Sequence, residues 1–363
     1  MEIDARVEAW ASLQLLPGIS ARTLAGLLKT LGGPEEVRGA SRAHLARLVS
    51  GEVAASIERG PDRELLERTL SWIAEPAHAL IAWDDADYPR ALLDISDPPP
   101  AFYFRGKREL LNRPTLAIVG SRNATPQGME NAESFAAALS AAGFTIASGL
   151  AQGIDAAAHR GGLSAAGSSI AVIGTGPDRI YPAANRDLGL RLANEGGVLS
   201  EFPLGTPPLP ANFPRRNRLL SGLSRGVLVV EATLASGSLI TARFAAEQGR
   251  EVFAIPGSIH SPFSKGSHRL IRDGAKLVET AQDVLEELGE MASRPDSPAD
   301  PPGPAPAGDA GRVLEALAHD PAGVDALSAR TGLAAGIVSV ALVELELSGR
   351  VAPVAGGLFQ RVR

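Results

Sequence analysis

Apolar runs of strand length alternate with helical patterns through the middle of the chain. The runs are nearly continuous and rich in β-branched residues, which is typical of strands buried on both faces of a sheet. They lie at 115–120, 144–148, 169–174, 226–231 and 251–255, with a shorter one at 197–201. Helical segments such as GMENAESFAAALSAAG separate them. The alternation predicts a doubly wound, mainly parallel α/β sheet over residues 76–290, with ligands at the carboxyl ends of its strands.

The segments on either side have different patterns. Residues 1–75 have leucines at helical spacing and a turn, PGIS, that faintly resembles a helix-hairpin-helix or SAM-like module. A packing role is favoured for them, because Ser20 occupies the place of the motif's second glycine. Residues 291–310 are proline-rich and predict an extended linker. Residues 311–363 show three helices and a short hairpin, which predicts a winged-helix-like module whose third helix has few basic residues for reading DNA.

Composition narrows the class of protein. The 363 residues carry a formal net charge of −6, so a site for a polyanion has to come from local clusters of cations. The chain has no cysteine, which excludes disulfides, thiolate zinc sites and cysteine nucleophiles and fits a reducing compartment. The N-terminal segment has no apolar run of signal-peptide type, and the apolar runs are strand-sized. These features predict a soluble, cytoplasmic protein with no membrane partner.

Glycine and small hydroxyl residues follow several of the predicted strands. Such residues let a phosphate approach backbone N–H groups at the N-termini of helices. Several of them at one sheet edge favour an anion-binding surface, although glycine also makes any tight turn. The candidates are Gly120, Ser121, Arg122, Gly174, Thr175, Gly176, Ser236, Gly237 and Ser238.

Arg122 is the most specific of these candidates. It directly follows Gly120-Ser121 at a strand end, so its side chain should enter the crevice and need an anionic partner there. On the functional interpretation this partner is a phosphate. On the structural interpretation it is a carboxylate, either Glu201 or Glu231, in an internal salt bridge.

The stretch between Glu201 and Glu231 contains no acidic residue but several arginines. They fall in the first turns of a helix predicted to begin at Pro214, where cations repel one another and oppose the helix dipole. Their placement costs stability unless an anion compensates. A phosphate-binding surface is therefore favoured over a solvated helix face. The candidates here are Arg215, Arg216, Asn217 and Arg218.

A second stretch without acidic residues, 254–272, contains Lys265 and Phe263. Basic groups interleaved with aromatic rings are how proteins grip single-stranded nucleic acid, because the cations follow the backbone while the rings stack on bases. Aromatic residues make up only 4% of the chain, so stacking is limited to a few positions. Phe213, Phe263 and Tyr181 are the candidates.

Other kinds of site are not supported by residue spacing. A dinucleotide fingerprint and a P-loop both need glycine patterns that the chain lacks. Asp155 and His159 lie four residues apart on one helix face, where they could bind a metal or act as acid and base. No further histidine or carboxylate completes a metal set nearby, so hydrogen bonds that fix this helix against its neighbour are favoured. No catalytic residue, metal or cofactor is predicted.

The chain contains, in this order, AIVGSR, SGLAQGIDAAAHRGGL, AVIGTGPDRIYPAAN, LSEFPLGTPPLPANFPRRNRLLSGLS, VLVVEATLASGSLITARFAAEQGREVFAIPG and SKGSHRLIRDGA. Together these motifs resemble the bacterial DNA-processing protein A family, also called DprA or Smf. The resemblance implies an extended Rossmann-like domain without nucleotide chemistry. It also implies a homodimer that binds single-stranded DNA, protects incoming DNA in transformation or repair, displaces single-strand-binding protein and loads the RecA recombinase.

The resemblance assigns roles to a few residues. It implies that Arg122 contacts a DNA phosphate and that Lys265 is a further phosphate ligand. Members of the family often have a lysine near the segment YP-x-x-N, where this chain has two alanines. Arg179 or Arg186 is expected to supply that contact instead.

Two enzymatic alternatives stay open. A nucleotide phosphoribohydrolase of the "lonely guy" type shares the Rossmann-like core, but this chain has EATLASGSLITA where that family has P-G-G-x-G-T-x-x-E. A metal-dependent nuclease needs clustered carboxylates, whereas Asp155, Glu201 and Glu231 are scattered along the sequence.

Overall fold

The computed structural model describes residues 4–289, 308–318, 321–348, 350–354 and 357–361. Short helices come first: α1 Ala5–Gln14, α2 Ala21–Leu31, α3 Pro34–Gly39, α4 Arg42–Leu45, α5 Gly51–Arg59 and α6 Arg63–Ile73. Most of them have a Ser or Asp at the N-cap position, and its side chain accepts a hydrogen bond from a backbone N–H of the first turn. This satisfies a donor that has no partner within the helix. These capping residues are Asp4, Ser20, Ser41, Ser50 and Asp62.

The central region alternates strands and helices, as predicted. Its strands are β1 His78–Ala82, β2 Ala101–Gly106, β3 Thr115–Val119, β4 Thr145–Ser148, β5 Ser169–Ile173, β6 Gly197–Ser200, β7 Gly226–Val229, β8 Glu251–Ala254 and β9 Lys276–Leu277. Its helices are α7 Arg90–Leu93, α8 Pro126–Ala141, α9 Ile154–Leu163, α10 Arg186–Glu195, α11 Asn212–Leu223, α12 Ser238–Glu247, α13 Lys265–Arg272 and α14 Ala281–Glu287. Short 3₁₀ turns occur at Arg108–Leu110, Ala183–Asn185 and Pro262–Ser264.

The described residues form a nine-stranded sheet in the order β1-β2-β6-β5-β4-β3-β7-β8-β9. Strands β3 to β9 pair in parallel, while β1 pairs with β2 and β2 with β6 in antiparallel fashion. The mainly parallel, doubly wound sheet is thus confirmed. The chain adds strands to one side from β3 to β6 and to the other side from β7 onward. Between β3 and β7 the order reverses, which is where such sheets bind ligands.

Alternate residues of the central strands pack on opposite faces of the sheet. On β3, Leu116 and Ile118 join the apolar core formed with α8 and α9. Ala117 and Val119 face the other way, into the core formed with α11 and α12. Burial on both faces explains why the strands appear in the sequence as continuous apolar runs.

The N-terminal helices pack on the antiparallel side of the sheet. Trp10 of α1 shares an apolar core with Leu80 of β1 and Tyr103 of β2. Arg6 adds ion pairs to Asp84 at 2.6 Å and Asp85 at 2.9 Å. Strands β1 and β2 were not predicted from the sequence, because their apolar segments lie outside the regular alternation, and β9 was not predicted, because it is only two residues long.

The C-terminal region contains α15 Gly308–Leu317, α16 Val324–Thr331, α17 Ala335–Leu347, β10 Val351–Val354 and β11 Leu358–Arg361. The three helices share one apolar core, and β10 and β11 form an antiparallel hairpin, which confirms the winged-helix-like module. The linker predicted over 291–310 lies largely outside the described residues, and its last three residues already belong to α15. Within the described ranges no single helix is long and apolar enough to cross a membrane, although α16 and α17, bent at 108° to each other, reach that length and composition together.

Candidate nucleic-acid interface

A cleft of about 660 Å³ lies at the carboxyl edge of the sheet where the strand order reverses. The loop after β3 forms one wall and the loop between β7 and α12 forms another. The first turns of α11 complete it. Of the sequence candidates, the cleft is lined by Gly120, Ser121, Arg122, Tyr181, Phe213, Arg216, Asn217, Ser236, Gly237, Ser238 and Phe263.

Gly120 lets the two sheet-edge loops approach closely. A Cβ atom at this position would lie 2.6 Å from Cγ1 of Ile154 and 2.9 Å from the carbonyl oxygen of Glu231. The next backbone N–H, that of Ser121, donates to the same carbonyl at 2.8 Å. Gly120 is therefore needed for packing. The loop that it allows turns Arg122 toward the mouth of the cleft.

Arg122 is exposed, and no carboxylate among the described residues pairs with it. Its guanidinium carbon lies 5.7 Å from the ring centroid of Phe213, a distance typical of a cation–π contact. The Tyr181 ring is next to the Phe213 ring, and the two ring centroids are 5.9 Å apart. The structural interpretation of Arg122 as one half of a salt bridge to Glu201 or Glu231 is wrong, because both carboxylates have other partners.

Glu231 supports the fold beside the cleft. Its Oε1 accepts a hydrogen bond from the Thr125 hydroxyl at 2.6 Å, and its Oε2 accepts one from the Thr125 N–H at 2.9 Å. Thr125 in turn caps α8. Burial raises the pKa of Glu231, and the two hydrogen bonds from Thr125 oppose that effect.

Arg218 does not belong to the cleft surface. It is buried and donates hydrogen bonds to the Glu201 carboxylate and to the carbonyl oxygen of Asp97, while its Nε lies 3.5 Å from the Asp97 carboxylate. Glu201 is also buried. The expectation that this cation meets an external phosphate is therefore wrong, because an internal anion compensates its charge.

Arg215 is intermediate between the exposed Arg122 and the buried Arg218. Its side chain is 52% exposed, and its Nε lies 3.2 Å from Oε2 of Glu201. The guanidinium also lies over the Phe202 ring, 5.4 Å from the centroid. Arg215 therefore shares an anion with Arg218 and has a weaker claim to a phosphate than Arg122.

Arg216 lies buried under the floor of the cleft. One of its terminal nitrogens donates to the Val172 carbonyl oxygen at 2.7 Å, and its Nε has no hydrogen-bond partner among the described residues. Its guanidinium lies so close over Gly149 that any Cβ there would overlap it. Burial lowers the pKa of Arg216 to about 10, with Asp155 opposing and Arg122 adding to the effect. Arg216 still carries a full charge at neutral pH, and it brings a cation to the floor of the cleft.

Asp155 balances this buried charge from the start of α9. Its carboxylate accepts hydrogen bonds from the backbone N–H groups of Gly149 at 3.1 Å and Ala151 at 3.3 Å. Burial raises the pKa of Asp155, while Arg216 and these two N–H groups lower it. Asp155 thus holds the loop after β4 against α9, which agrees with the packing role predicted from the sequence.

His159 fixes the same helix to the next strand. Its Nδ1 lies 2.7 Å from the Ser169 hydroxyl, which itself donates to the Ile146 carbonyl oxygen at 2.7 Å. Because the hydroxyl proton is used there, Nδ1 of His159 must be the donor and Nε2 is unprotonated. Nε2 is buried and has no partner among the described residues. Burial, with a smaller contribution from Arg216, therefore lowers the pKa of His159 to about 3.

This depressed pKa predicts an acid-dependent loss of stability. The unfolded histidine takes up a proton near pH 6.5 and the folded one does not, so the stability that neutral His159 contributes is lost as the pH falls from about 6.5 toward 3. When the pH is lowered from 6 to 5, the wild-type protein should lose about 1 kcal/mol more unfolding free energy than the His159→Gln variant, which has no imidazole to protonate. Urea denaturation of both proteins at the two pH values measures this, and parallel pH profiles would contradict it.

Several glycine-rich candidates lie away from the open cleft. Gly174, Thr175 and Gly176 are buried. The Asn212 side chain donates to the Gly174 carbonyl oxygen at 3.0 Å, and the Gly176 N–H donates to the Thr206 carbonyl oxygen at 3.0 Å. The accessibility expected for this turn is therefore wrong, since its backbone groups are used within the protein.

The two remaining basic candidates, and Arg186 as the alternative to Arg179, are exposed but do not line the cleft. Arg179 follows β5, and its carbonyl oxygen accepts a hydrogen bond from the Thr175 hydroxyl at 2.8 Å. Lys265 begins α13, and its ammonium group donates to the Ile259 carbonyl oxygen. A DNA contact by any of these side chains stays a prediction for the surface around the cleft.

The loop before α12 presents hydroxyl groups to the cleft, while the N–H of Ser236 donates to the Thr233 carbonyl oxygen at 3.0 Å and that of Ser238 to the Ser236 hydroxyl at 3.3 Å. Ser236 and Ser238 share a hydrogen bond between their hydroxyls at 2.7 Å, and Gly237 between them caps α12. The loop thus brings hydroxyl groups and the positive end of a ten-residue helix to the cleft. Asn123 and Thr233 also line the cleft and were missed. Each is a polar residue within three positions of a residue already singled out, so extending each predicted loop would have found them.

Comparison with known proteins agrees with this architecture. A family model described as DNA recombination-mediator protein A matches residues 79–289, and one described as DprA winged helix domain matches residues 297–357. Protein Smf of Escherichia coli (strain K12) is 44% identical over 312 residues, which cover 83% of this chain and 82% of that protein. DNA processing protein DprA of Streptococcus pneumoniae is 49% identical over 204 residues, which cover 56% and 72% of the two chains.

Solved structures give the same result. The X-ray structure of DNA processing protein A from Streptococcus pneumoniae superposes with a TM-score of 0.69 at 38% identity, over 79% of this chain and 99% of that one. A structure of DNA processing protein A from Helicobacter pylori gives a TM-score of 0.54 at 30% identity, over 58% and 95% of the chains. Since a family model covers more than half of the chain and a relative at 44% identity covers most of it, the chain belongs to the DNA recombination-mediator protein A family, DprA/Smf.

Proposed function

We propose that this chain binds single-stranded DNA in the cleft at the reversal of strand order. The observation that carries the proposal is Arg122, a cation without an ion-pair partner among the described residues that lies over the Phe213 ring, which in turn lies next to the Tyr181 ring. A free cation beside the half-buried Phe213 ring and the exposed Tyr181 ring fits a strand whose phosphates are neutralised while its bases stack. The Helicobacter pylori relative is described as binding single-stranded DNA, which supports the same assignment here.

The surrounding residues supply the rest of the proposed contacts. A phosphate held by Arg122 has the N-terminal end of α12 across the cleft, where the hydroxyls of Ser236 and Ser238 are the proposed donors and the helix dipole adds positive potential. Arg216 contributes positive potential from beneath. None of these features reads base edges in a duplex groove, so we expect little sequence preference and weak binding to double strands.

A salt series tests the proposal. If the site neutralises roughly four phosphates, log affinity should fall against log salt with a slope of about −3, from roughly −0.7 per phosphate of a single strand. Affinities for a labelled oligonucleotide and for a duplex of the same length should be measured by fluorescence anisotropy at each salt concentration. A flat response, or equal affinity for the two forms, would contradict binding in this cleft.

We further propose that the DNA-bound protein is a homodimer that displaces single-strand-binding protein and loads RecA recombinase onto the strand. Membership in the family supports this role. The test is RecA filament assembly on single strands precoated with single-strand-binding protein, with and without this chain. A lack of stimulation by a chain that binds DNA would refute the loading role and leave the DNA-binding proposal standing.

We propose that the protein acts without catalysing a reaction. In support, the three carboxylates that the sequence offered as catalytic candidates are engaged within the fold. Asp155 accepts backbone hydrogen bonds, Glu201 pairs with arginines, and Glu231 accepts hydrogen bonds from Thr125. Incubation with nucleoside monophosphates, and with labelled single strands plus Mg²⁺ or Mn²⁺, should release neither free base nor fragments.

A further inference from the structure

The third helix of the winged-helix module, α17, is apolar on two sides. One side carries Val338, Ala341, Leu342 and Leu345 and is buried in the core of the module. The opposite side carries Ile337, Val340, Val343 and Leu347, and these are exposed, Val340 to 69% and Leu347 to 85%. A helix that is apolar all round is normally covered on all sides.

The exposed residues form one continuous surface. At 3.6 residues per turn, Ile337, Val340, Val343 and Leu347 fall within an arc of about 120° on the helix. Glu344 lies in the same arc, and Glu346 lies about 60° outside it, between the exposed and the buried sides of the helix. Neither glutamate has an ion-pair partner among the described residues. We call this surface, Ile337 to Leu347, the α17 outer face. Contiguous exposed apolar surface bordered by charge marks an interaction site.

The charges on the α17 outer face select the kind of partner. The third helix of such a module is the one that would enter a DNA groove, yet α17 carries no lysine or arginine. Its glutamates would be repelled by DNA phosphates and by anionic lipid headgroups. A second copy of the chain packed through the same helix would add its own glutamates to the contact, because α17 contains no lysine or arginine.

We propose that the α17 outer face docks an amphipathic helix of a partner protein that has basic residues beside its apolar stripe. Such a helix would bury its apolar anchors against Val340, Val343 and Leu347, as the facing helices of a coiled-coil zipper do. Its lysines or arginines would pair with Glu344 and Glu346, which fixes orientation and partner choice. This proposal is independent of the DNA-binding cleft, so either can fail alone.

Peptide binding to the full chain tests the proposal. The probe is a fluorescent helical peptide of roughly four turns with leucines at i, i+3, i+4 and i+7 and flanking lysines, compared with a peptide in which glutamates replace the lysines. The lysine peptide should bind and the glutamate peptide should not. Val340→Glu should weaken binding by roughly tenfold or more, since burying one valine contributes about that much.

Charge reversal provides the sharper control. Glu344→Lys should shift preference toward the glutamate peptide, while Asp325→Lys, the same charge reversal on an exposed residue of α16, should leave the preference unchanged. Circular dichroism confirms that each variant folds. The proposal is overturned if neither peptide binds, if both bind equally, or if Val340→Glu instead abolishes binding to duplex DNA, to phosphatidylglycerol vesicles or to a second copy in sedimentation.

Discussion

Replacing Arg218 by alanine should lower the free energy of unfolding by about 3–5 kcal/mol. Arg218 and Glu201 are both buried and bonded to each other, and Arg218 also holds the Asp97 carbonyl oxygen. Removing the cation leaves the Glu201 carboxylate largely desolvated, with only the more distant Arg215 nearby. Urea denaturation monitored by circular dichroism measures the loss.

The matched control is Arg215→Ala on the same helix. Arg215 shares Glu201 but its side chain is 52% exposed, so its removal should cost no more than about 1 kcal/mol. Replacing both buried partners, as in Arg218→Met with Glu201→Gln, should recover part of the stability, because no unpaired charge then remains. Equal losses for Arg218→Ala and Arg215→Ala would show that the burial argument is wrong. A loss of DNA affinity per folded molecule in Arg218→Ala would return this residue to the interface.

Replacing Arg122 by alanine should have the opposite effect to Arg218→Ala: it should strongly weaken DNA binding and change stability little. We expect a loss of roughly 1.5–3 kcal/mol in affinity for single strands, the range for a hydrogen bond to a charged group. Arg122 is exposed and holds no carboxylate, so the melting temperature should change little. Arg122→Lys should recover only part of the affinity, since an ammonium group cannot hold a phosphate bidentately.

Arg160→Ala is the matched control for Arg122. Arg160 is a comparably exposed arginine, but it lies near the end of α9 and pairs with Glu133 at 2.9 Å. Its removal should leave affinity unchanged at moderate salt. Affinity and melting temperature should be measured on the same preparation of each variant. An Arg122→Ala protein that melts earlier but binds as wild type would remove Arg122 from the proposed site.

The sequence was sufficient wherever a local pattern has one physical outcome. Continuous apolar runs such as 115–120 can be buried only with both faces covered, so they identified the parallel strands β3 to β8. Glycine and hydroxyl residues at strand ends located the cleft, because parallel strands bring their carboxyl ends to one edge. Tyr181, Phe213 and Phe263 were rare aromatic residues in those loops, and all three line the cleft.

The sequence was insufficient wherever a charge is compensated from a distance. The sequence does not distinguish the arginines at 215, 216 and 218, which all lie in the first turns of α11. In the structure Arg215 is half-exposed, whereas Arg216 and Arg218 are buried. Arg218 meets Asp97, which is 121 residues earlier in the chain, and Arg216 lies in the field of Asp155 from another helix. A local absence of acidic residues therefore says nothing about which anions the fold brings into contact.

The same reason explains the turn at Gly174, Thr175 and Gly176. Its composition is that of a phosphate-binding loop, but Asn212 and Thr206 from later segments use its backbone groups. The sequence by itself determined the sheet, its ligand-binding edge and the winged-helix module, because these follow from short-range periodicity and strand polarity. Only the tertiary structure decided which cations stay free for a ligand, because that depends on carboxylates and carbonyl groups that lie far away in sequence and are buried next to them.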